Sequence, residues 1–185
     1  MGNITATIIT LNEEKRIRDC IISAKSVCDE IIVVDSLSED NTVAEAKKLG
    51  AIVYLQEYLG DGPQKDYGVQ FAKNDWILSL DADERLEADA VAAIKSLELD
   101  KSKYQAYALK RRNYVGSHWI KAAGFYPDVV TRLYNKNVAR YLPKKAHSSV
   151  EAKKTRKLNA HIRHLRYDNY THWFDRINRL SSRDA

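Results

Sequence analysis

The sequence predicts an α/β domain with a mostly parallel central sheet, helices on both faces, and a more irregular basic second half. Two observations carry this. In the first hundred residues, short apolar or β-branched runs alternate with helix-like segments. Strand–helix repetition with nearly continuous apolar strands belongs to parallel sheets covered on both sides. After residue 100 the segments lengthen, alternate and become basic. A chain of 185 residues fits one domain.

The elements follow in order. Residues 4–10, ITATIIT, are a β-branched run and predict the first strand. Asn12-Glu13-Glu14 opens a helix predicted to run to about residue 26, with Ile17, Ile21, Ile22 and Ala24 on its buried side. Ile31-Ile32-Val33-Val34 predicts a doubly buried strand that stops at Asp35-Ser36. Asp40-Asn41-Thr42 caps a helix that Gly50 ends. Residues 51–54 predict a short strand, and Gly60-Asp61-Gly62-Pro63 a loop before a helix reaching about residue 73. Residues 76–80 predict the fourth strand, ending at Asp81, and residues 87–97 a helix. Residues 104–115 alternate like a half-exposed strand. Residues 129–134 and 138–142 predict two more strands, joined by a hairpin turn at Asn135-Lys136-Asn137. Residues 158–165 predict a further strand. Residues 170–182 predict an amphipathic helix with Trp173, Phe174, Ile177 and Leu180 on one side.

Hydrophobic residues at 44% can build a core, which excludes wholesale disorder. No run approaches the roughly 20 apolar residues of a membrane span. The first residues predict no signal peptide, and Ala6 breaks the myristoylation pattern. Cys20 and Cys28 are too few for a disulfide framework and read as reduced thiols of a cytosolic protein. Residues 1–100 carry 10 Lys/Arg and 20 Asp/Glu, whereas residues 101–185 carry 20 and 5. That asymmetry describes either two differently solvated faces or a second half that meets an anionic partner.

Ligands of parallel α/β sheets bind beyond the carboxyl ends of the strands. The polar residues there are Thr10 and Asn12, then Asp35, then Asp81 and Asp83. Two carboxylates two residues apart can address one hard divalent cation, Mg²⁺ or Mn²⁺, and a sugar hydroxyl. Such a cation neutralises a diphosphate leaving group. The same acids, with Glu84, Glu87 and Asp89, also suit a solvated helix N-terminus. Asp35 could accept from a base N–H or a ribose hydroxyl, or simply cap a helix. Lys65 stands at a helix start, where a phosphate is welcome, though a surface lysine is the commoner role.

Three segments together resemble the family 2 glycosyltransferases of GT-A fold: Thr10-Leu11-Asn12-Glu13, Ile31 to Thr42 with Asp35, Ser36, Ser38 and Asp40, and Leu80-Asp81-Ala82-Asp83-Glu84-Arg85. Gly124-Phe125-Tyr126-Pro127-Asp128 and Thr131-Arg132-Leu133-Tyr134 narrow the resemblance to the bacterial branch that includes lipopolysaccharide core β-1,4-glucosyltransferases. The resemblance implies a nucleotide-diphosphate-sugar donor, most simply a UDP-hexose, a Mn²⁺ or Mg²⁺ cofactor, and inversion at the anomeric carbon. It divides the single domain into a donor half, 1–100, and an acceptor half, 101–185. It implies a donor site of Thr10, Asn12, Glu13, Asp35, Lys65, Asp81 and Arg132, and a metal site of Asp83, Asp81 and His164. A partly buried packing role is the other reading of His164.

Inverting transfer needs a group that takes the acceptor hydroxyl proton. The branch has Val-His-Glu where this chain has Ala146-His147-Ser148. Asp128 and His147 are the catalytic candidates, with Glu151 a third. A fold that binds donor without turnover is the alternative. Tyr114, Trp119, Phe125 and Tyr126 flank a Gly116–Gly124 loop and could pack on sugar rings or merely on each other. The surrounding lysines and arginines suit an anionic glycan or glycolipid, and the last helix a peripheral contact at the inner membrane surface. Family members often continue past this point, so a longer chain is expected. No Gly-rich loop follows the first strand, which disfavours a dehydrogenase and a nucleotidyltransferase. The Asp-x-Asp pair follows the fourth strand and not the first, which disfavours a haloacid-type phosphatase. A basic nucleic-acid-binding module is the further alternative: charge and aromatic residues permit it, but no recognised motif supports it, and no nucleic acid is expected.

Overall fold

The β-branched run at residues 4–10 forms the strand around which the parallel half of the sheet is built. In the computed structural model, residues 3–122, 124–144, 146, 148–171 and 173–174 are described, with the backbone alone at Arg166. The first half contains β1 (Ile4–Thr10), α1 (Ile17–Lys25), β2 (Glu30–Asp35), α2 (Thr42–Lys48), β3 (Ile52–Leu55), α3 (Asp61–Val69), β4 (Trp76–Asp81), β5 (Glu84–Leu86) and α4 (Ala88–Lys95). A 3₁₀ turn at Leu99–Lys101 leads to β6 (Ala106–Val115), β7 (His118–Trp119), β8 (Asp128–Asn135), β9 (Arg140–Tyr141), β10 (Val150–Glu151) and β11 (Thr155–Tyr167).

The main sheet runs β3-β2-β1-β4-β8-β6-β11-β5, with β7 on β6. β3, β2, β1 and β4 are parallel. β8 enters antiparallel between β4 and β6, and β11 then lies parallel to β6. Both faces are covered, as doubly apolar strands require. Ile4, Ala6 and Ile8 face a core closed by Ile17 and Ile21 of α1 and Ile94 of α4. Ile32, Val34 and Ile77 face a second core with Tyr134 and Tyr141. α3 lies on that second face, and Gly68 lets it approach: a Cβ there would stand 2.9 Å from Val34 Cγ2.

Several elements differ from the sequence expectation. α1 begins at Ile17, not at Asn12, because Asn12 adopts φ +53° and spends its side chain on the next loop, where its Oδ1 accepts from the Glu39 N–H at 2.8 Å. Ile22 is exposed, since the buried stripe runs through Ile17, Cys20, Ile21 and Ala24 at helical spacing. The Gly60–Pro63 stretch is not a loop throughout: α3 starts at Asp61 and takes Pro63 into its first turn, where a missing N–H costs nothing, and it ends at Val69. β5 was not foreseen, and it takes Glu84 out of any helix N-terminus. The turn after Asn135 exists, but β9 does not pair with β8. Both edges of β8 are already occupied by β4 and β6, so β9 pairs with β10 in a separate two-stranded sheet. Of the helix expected at 170–182, residues 170, 171, 173 and 174 are helical and the remainder lies outside the described residues. No helix among the described residues is long and apolar enough to cross a membrane.

The chain between β9 and β10 is pinned to the start of α3. The Gly62 N–H donates to Lys144 O at 3.0 Å, and a Cβ on Gly62 would sit 2.1 Å from Leu142 O. Gly62→Ala is therefore expected to cost on the order of 1–3 kcal/mol, read by urea denaturation, and to make the 142–149 segment more protease-sensitive. Wild-type stability and cleavage would show that the segment has room to move.

Candidate active site

Parallel pairing delivers three functional strand ends to one edge. Thr10 lies opposite Asp35, and Ile9 opposite Asp81. Asp35 is fully buried. Its oxygens accept from the Ser38 N–H at 2.8 Å and the Ser38 hydroxyl at 2.5 Å, so it holds the β2–α2 turn as well as facing this edge. Asn12 and Glu13 are tied to that same turn: their N–H groups donate to Ser38 Oγ and Thr42 Oγ1, each at 2.8 Å. Burial raises the Glu13 pKa against the opposing pull of Arg16. Thr10 Oγ1 is buried with no hydrogen-bond partner among the described residues. An unspent hydroxyl at a strand end is a group a ligand can satisfy.

From Asp81 a chain of charges runs across the sheet. Asp81 pairs with Lys65 Nζ at 3.0 Å and with Arg132 Nη2 at 2.7 Å. Arg132 Nη2 also pairs with Glu84 Oε1 at 2.6 Å, and its Nη1 donates to the Tyr141 hydroxyl at 3.2 Å. Glu84 is fully buried, and Arg111 reaches it at 3.2 Å. Arg111 Nε then donates to Asp128 Oδ2 at 2.8 Å. Lys65 pairs on its other side with Asp61 at 2.8 Å. Burial works against every charge here, yet Arg132 and Lys65 hold the Asp81 carboxyl well below the usual range. Burial and Arg132 press the Lys65 ammonium down, but Asp81, Tyr141 and Asp61 outweigh them and raise it. Arg132 rises well above its ordinary value despite burial, through Asp81 and Glu84.

Asp83 lies beside His164, with Oδ2 3.2 Å from Nε2. Two neighbouring ligands of one divalent cation stand about 3 Å apart when each bond is about 2.1 Å, so this pair fits a Mg²⁺ or Mn²⁺. Burial would raise Asp83, but His164 lowers it and wins. Asp81 is turned towards Lys65 and Arg132. Among the described residues, the His/Asp/Glu trio whose ligand atoms all lie within 4.8 Å is Glu87, Asp89 and His161, not Asp81, Asp83 and His164. Its members are already engaged: His161 bridges Asp89 at 2.5 Å and the Tyr126 hydroxyl at 3.1 Å, and Glu87 pairs with Arg112.

Asp128 opens β8 and is ionised. Burial raises its pKa, but the Asn113 and Arg111 bonds lower it further. Both donors use Oδ2; Oδ1 takes no hydrogen bond from the described residues. His147 lies outside the described residues. Ser148 is committed elsewhere: its N–H donates to Asp61 Oδ2 at 2.7 Å and its hydroxyl to Leu142 O at 2.6 Å. Glu151 sits on β10 opposite Arg140, exposed. Trp119 has Arg112 and Lys121 over its ring at 4.8 and 4.6 Å and Tyr126 at its edge, and Tyr114 has Arg163 at 4.3 Å, so these rings have partners within the chain. Sequence reasoning missed Asn113, Arg111, Asp61 and Tyr141 as site residues, and gave Glu84 the wrong setting. A signal was available for Glu84 alone, as an acid directly after two others. Cys20, under these acids, has its thiol pushed well up by burial and is a packing group.

Arg132 Nη2 bridges the Asp81 and Glu84 carboxylates, and the Asp81 N–H also donates to Glu84 Oε2 at 3.2 Å. Arg132→Ala is expected to cost roughly 3–5 kcal/mol by leaving Asp81 with Lys65 alone and the buried Glu84 with Arg111 alone, measured by urea denaturation; a loss under 1 kcal/mol would contradict the geometry. Asp81, Asp83 and Asp128 all have lowered folded-state pKa values. Each adds stability above the ordinary carboxylate pKa of about 3.9, and that stability is lost as pH falls below it through their folded values. The melting temperature should hold from neutral pH to about pH 5 and drop below about pH 4, with a shallower drop in Asp83→Asn.

Comparison with known proteins supports the same picture. The sequence profile described as "Glycosyl transferase family 2" matches residues 5–164. An uncharacterised glycosyltransferase of Rickettsia conorii is 41% identical over 141 residues, covering 75% of this chain and 50% of that protein. The lipopolysaccharide core biosynthesis glycosyltransferase LpsC of Rhizobium meliloti is 29% identical over 158 residues, covering 80% and 56%. This chain thus spans about half the length of the curated relatives it matches. Crystal structures of Staphylococcus aureus TarS 1–349, alone and with UDP-GlcNAc, align with TM-scores of 0.64 and 0.63 at 15% identity. They cover 88% and 89% of this chain and 60% and 58% of TarS. The strand order, the acids at the strand ends and the profile match agree: the chain has the GT-A fold and belongs to glycosyltransferase family 2.

Proposed function

We propose that this chain transfers a hexose, in the first instance glucose, from a UDP-sugar to a glycan or glycolipid acceptor, with inversion and with a divalent metal. The observation that carries this reading is the Asp83–His164 pair beside Asp81, at the edge where Thr10 and Asp35 also end their strands. Thr10, Asn12, Glu13 and Asp35 would receive the nucleoside. Asp83 and His164 would hold the Mn²⁺ or Mg²⁺. When bound, that ion offsets charge on the diphosphate leaving group. Lys65 and Arg132 stand behind Asp81, fix its carboxylate and add positive field to the leaving-group side. The UDP and UDP-GlcNAc complexes of TarS suggest the donor class, and LpsC suggests lipopolysaccharide core as acceptor.

Asp128 is the base in this reading. Its Oδ1, which takes no hydrogen bond from the described residues, accepts the acceptor hydroxyl proton while the hydroxyl oxygen attacks the anomeric carbon from the face opposite the diphosphate. The new glycosidic C–O bond forms as the old one breaks, and UDP leaves. A low pKa makes Asp128 a weak base, so it serves by position more than by driving force. The basic second half would receive an anionic acceptor on the cytoplasmic side of a membrane. One observation favours a second reading, sugar-nucleotide binding without turnover: the Ser148 hydroxyl is consumed by Leu142 O.

Calorimetric titration of UDP, GDP and their hexose derivatives with and without Mn²⁺ tests the donor site. Metal-dependent binding of one nucleotide series is expected, and Asp83→Ala should abolish it; unchanged affinity in that variant removes Asp83 from the metal site. For the base, Asp128→Asn should lower kcat by about 10²–10⁴-fold with donor affinity kept within about twofold. Full turnover in Asp128→Asn would move the base elsewhere, and donor binding without turnover in the wild type would favour the second reading.

A further inference from the structure

Asn113 lies on β6, where its Cα pairs in register with His164 of the neighbouring β11. It is buried, and its side-chain amide makes three contacts. Nδ2 donates to Phe125 O and to Asp128 Oδ2, each at 3.0 Å. Oδ1 lies 2.6 Å from His164 Nδ1. The orientation of the amide follows from chemistry. A backbone carbonyl and an ionised carboxylate only accept, so the amide nitrogen must face them. Its oxygen then faces His164, and Nδ1 must carry the proton. Nε2 is left to face Asp83 Oδ2 at 3.2 Å, where it donates when it carries a proton and is the nitrogen open to a cation when it does not.

We propose that Asn113 is a positioning residue that sets the His164 tautomer and orients Asp128, so that one planar amide aligns the metal-side ligand and the base. The inference rests on the transferase reading for its purpose, and on geometry alone for its content. A metal-binding histidine commonly has its second nitrogen held in this way, and loss of such a partner typically lowers metal affinity 10–100-fold. No other side chain of this size serves both neighbours. Asp offers no donor to Asp128, Ala offers nothing to either, and Gln places the amide one methylene further out. Arg111 shares the load on Asp128, donating from Nε to the same Oδ2. His164 has no comparable second partner on Nδ1 among the described residues.

The test is a long-range ¹⁵N–¹H correlation spectrum of the histidine rings in the full chain without metal, which reads whether each ring nitrogen carries a proton. The expected wild-type spectrum shows a proton on His164 Nδ1, with or without a second one on Nε2 facing Asp83. An Nε2–H tautomer in the wild type overturns the proposal without recourse to any variant. Asn113→Asp should keep Nδ1–H, since a carboxylate still accepts, whereas Asn113→Ala should shift His164 towards Nε2–H. An unchanged tautomer in Asn113→Ala also overturns it. Titration of Mn²⁺ with UDP into the same samples should give roughly 10–100-fold weaker binding in Asn113→Ala than in Asn113→Asp. If the tautomers behave as expected and Mn²⁺ binds none of the proteins, the role of Asn113 stands and the metal-dependent reading fails.

Discussion

A guanidinium with almost no solvent, held between two carboxylates, is the interaction on which the rest of this site depends. Arg132 comes from β8, the antiparallel strand inserted beside β4, and it meets Asp81 at the end of β4 and Glu84 at the start of β5. Taking such charges out of water costs several kcal/mol each, and the cost is met only where the geometry is good and the remaining polar atoms have partners. Here Lys65, Arg111, Tyr141 and Ser79 supply partners, with the Tyr141 hydroxyl donating to Ser79 Oγ at 3.1 Å, while the buried Arg132 Nε has none among the described residues. A hydrophobic replacement could be as stable. What it could not do is keep the Asp81 carboxylate ionised and facing one way at the mouth of the sheet.

The network also joins the two halves of the chain. The first half is acidic and the second half basic, and the charged contacts between them are specific ion pairs more than averaged attraction. Lys65, Asp81 and Glu84 belong to the first half, and Arg132, Arg111 and Asp128 to the second. Asp61 extends the link through the Ser148 N–H to the segment between β9 and β10. Ser148 thus has a structural role, tying that segment to α3.

Much of the first hundred residues was legible because parallel strands buried on both faces write themselves as apolar runs. Ile31 to Val34 left little choice, and Asp35 and Asp81 mark where such runs stop. The acids at the strand ends were legible for the same reason. The second half was less so. Its strands alternate, β9 is two residues long, and the hairpin signal at Asn135 says nothing about whether the edge of β8 is free. The helix start at Asn12 misled because an Asn that can cap a helix can equally adopt a left-handed backbone and bind a neighbouring loop.

By itself the sequence determined the α/β class, the alternation of strands and helices in the first half, and the family, since these depend on local pattern and on motifs within a few residues of each other. Only the tertiary structure decided that Arg132 reaches Asp81 across 51 positions, that Asn113 faces His164 across another 51, and that Ser148 points at Leu142. The reason is physical. Strand pairing between distant segments sets which side chains share a face, and a buried charge or amide has no preferred partner until that pairing removes water and leaves it a single neighbour of the right polarity.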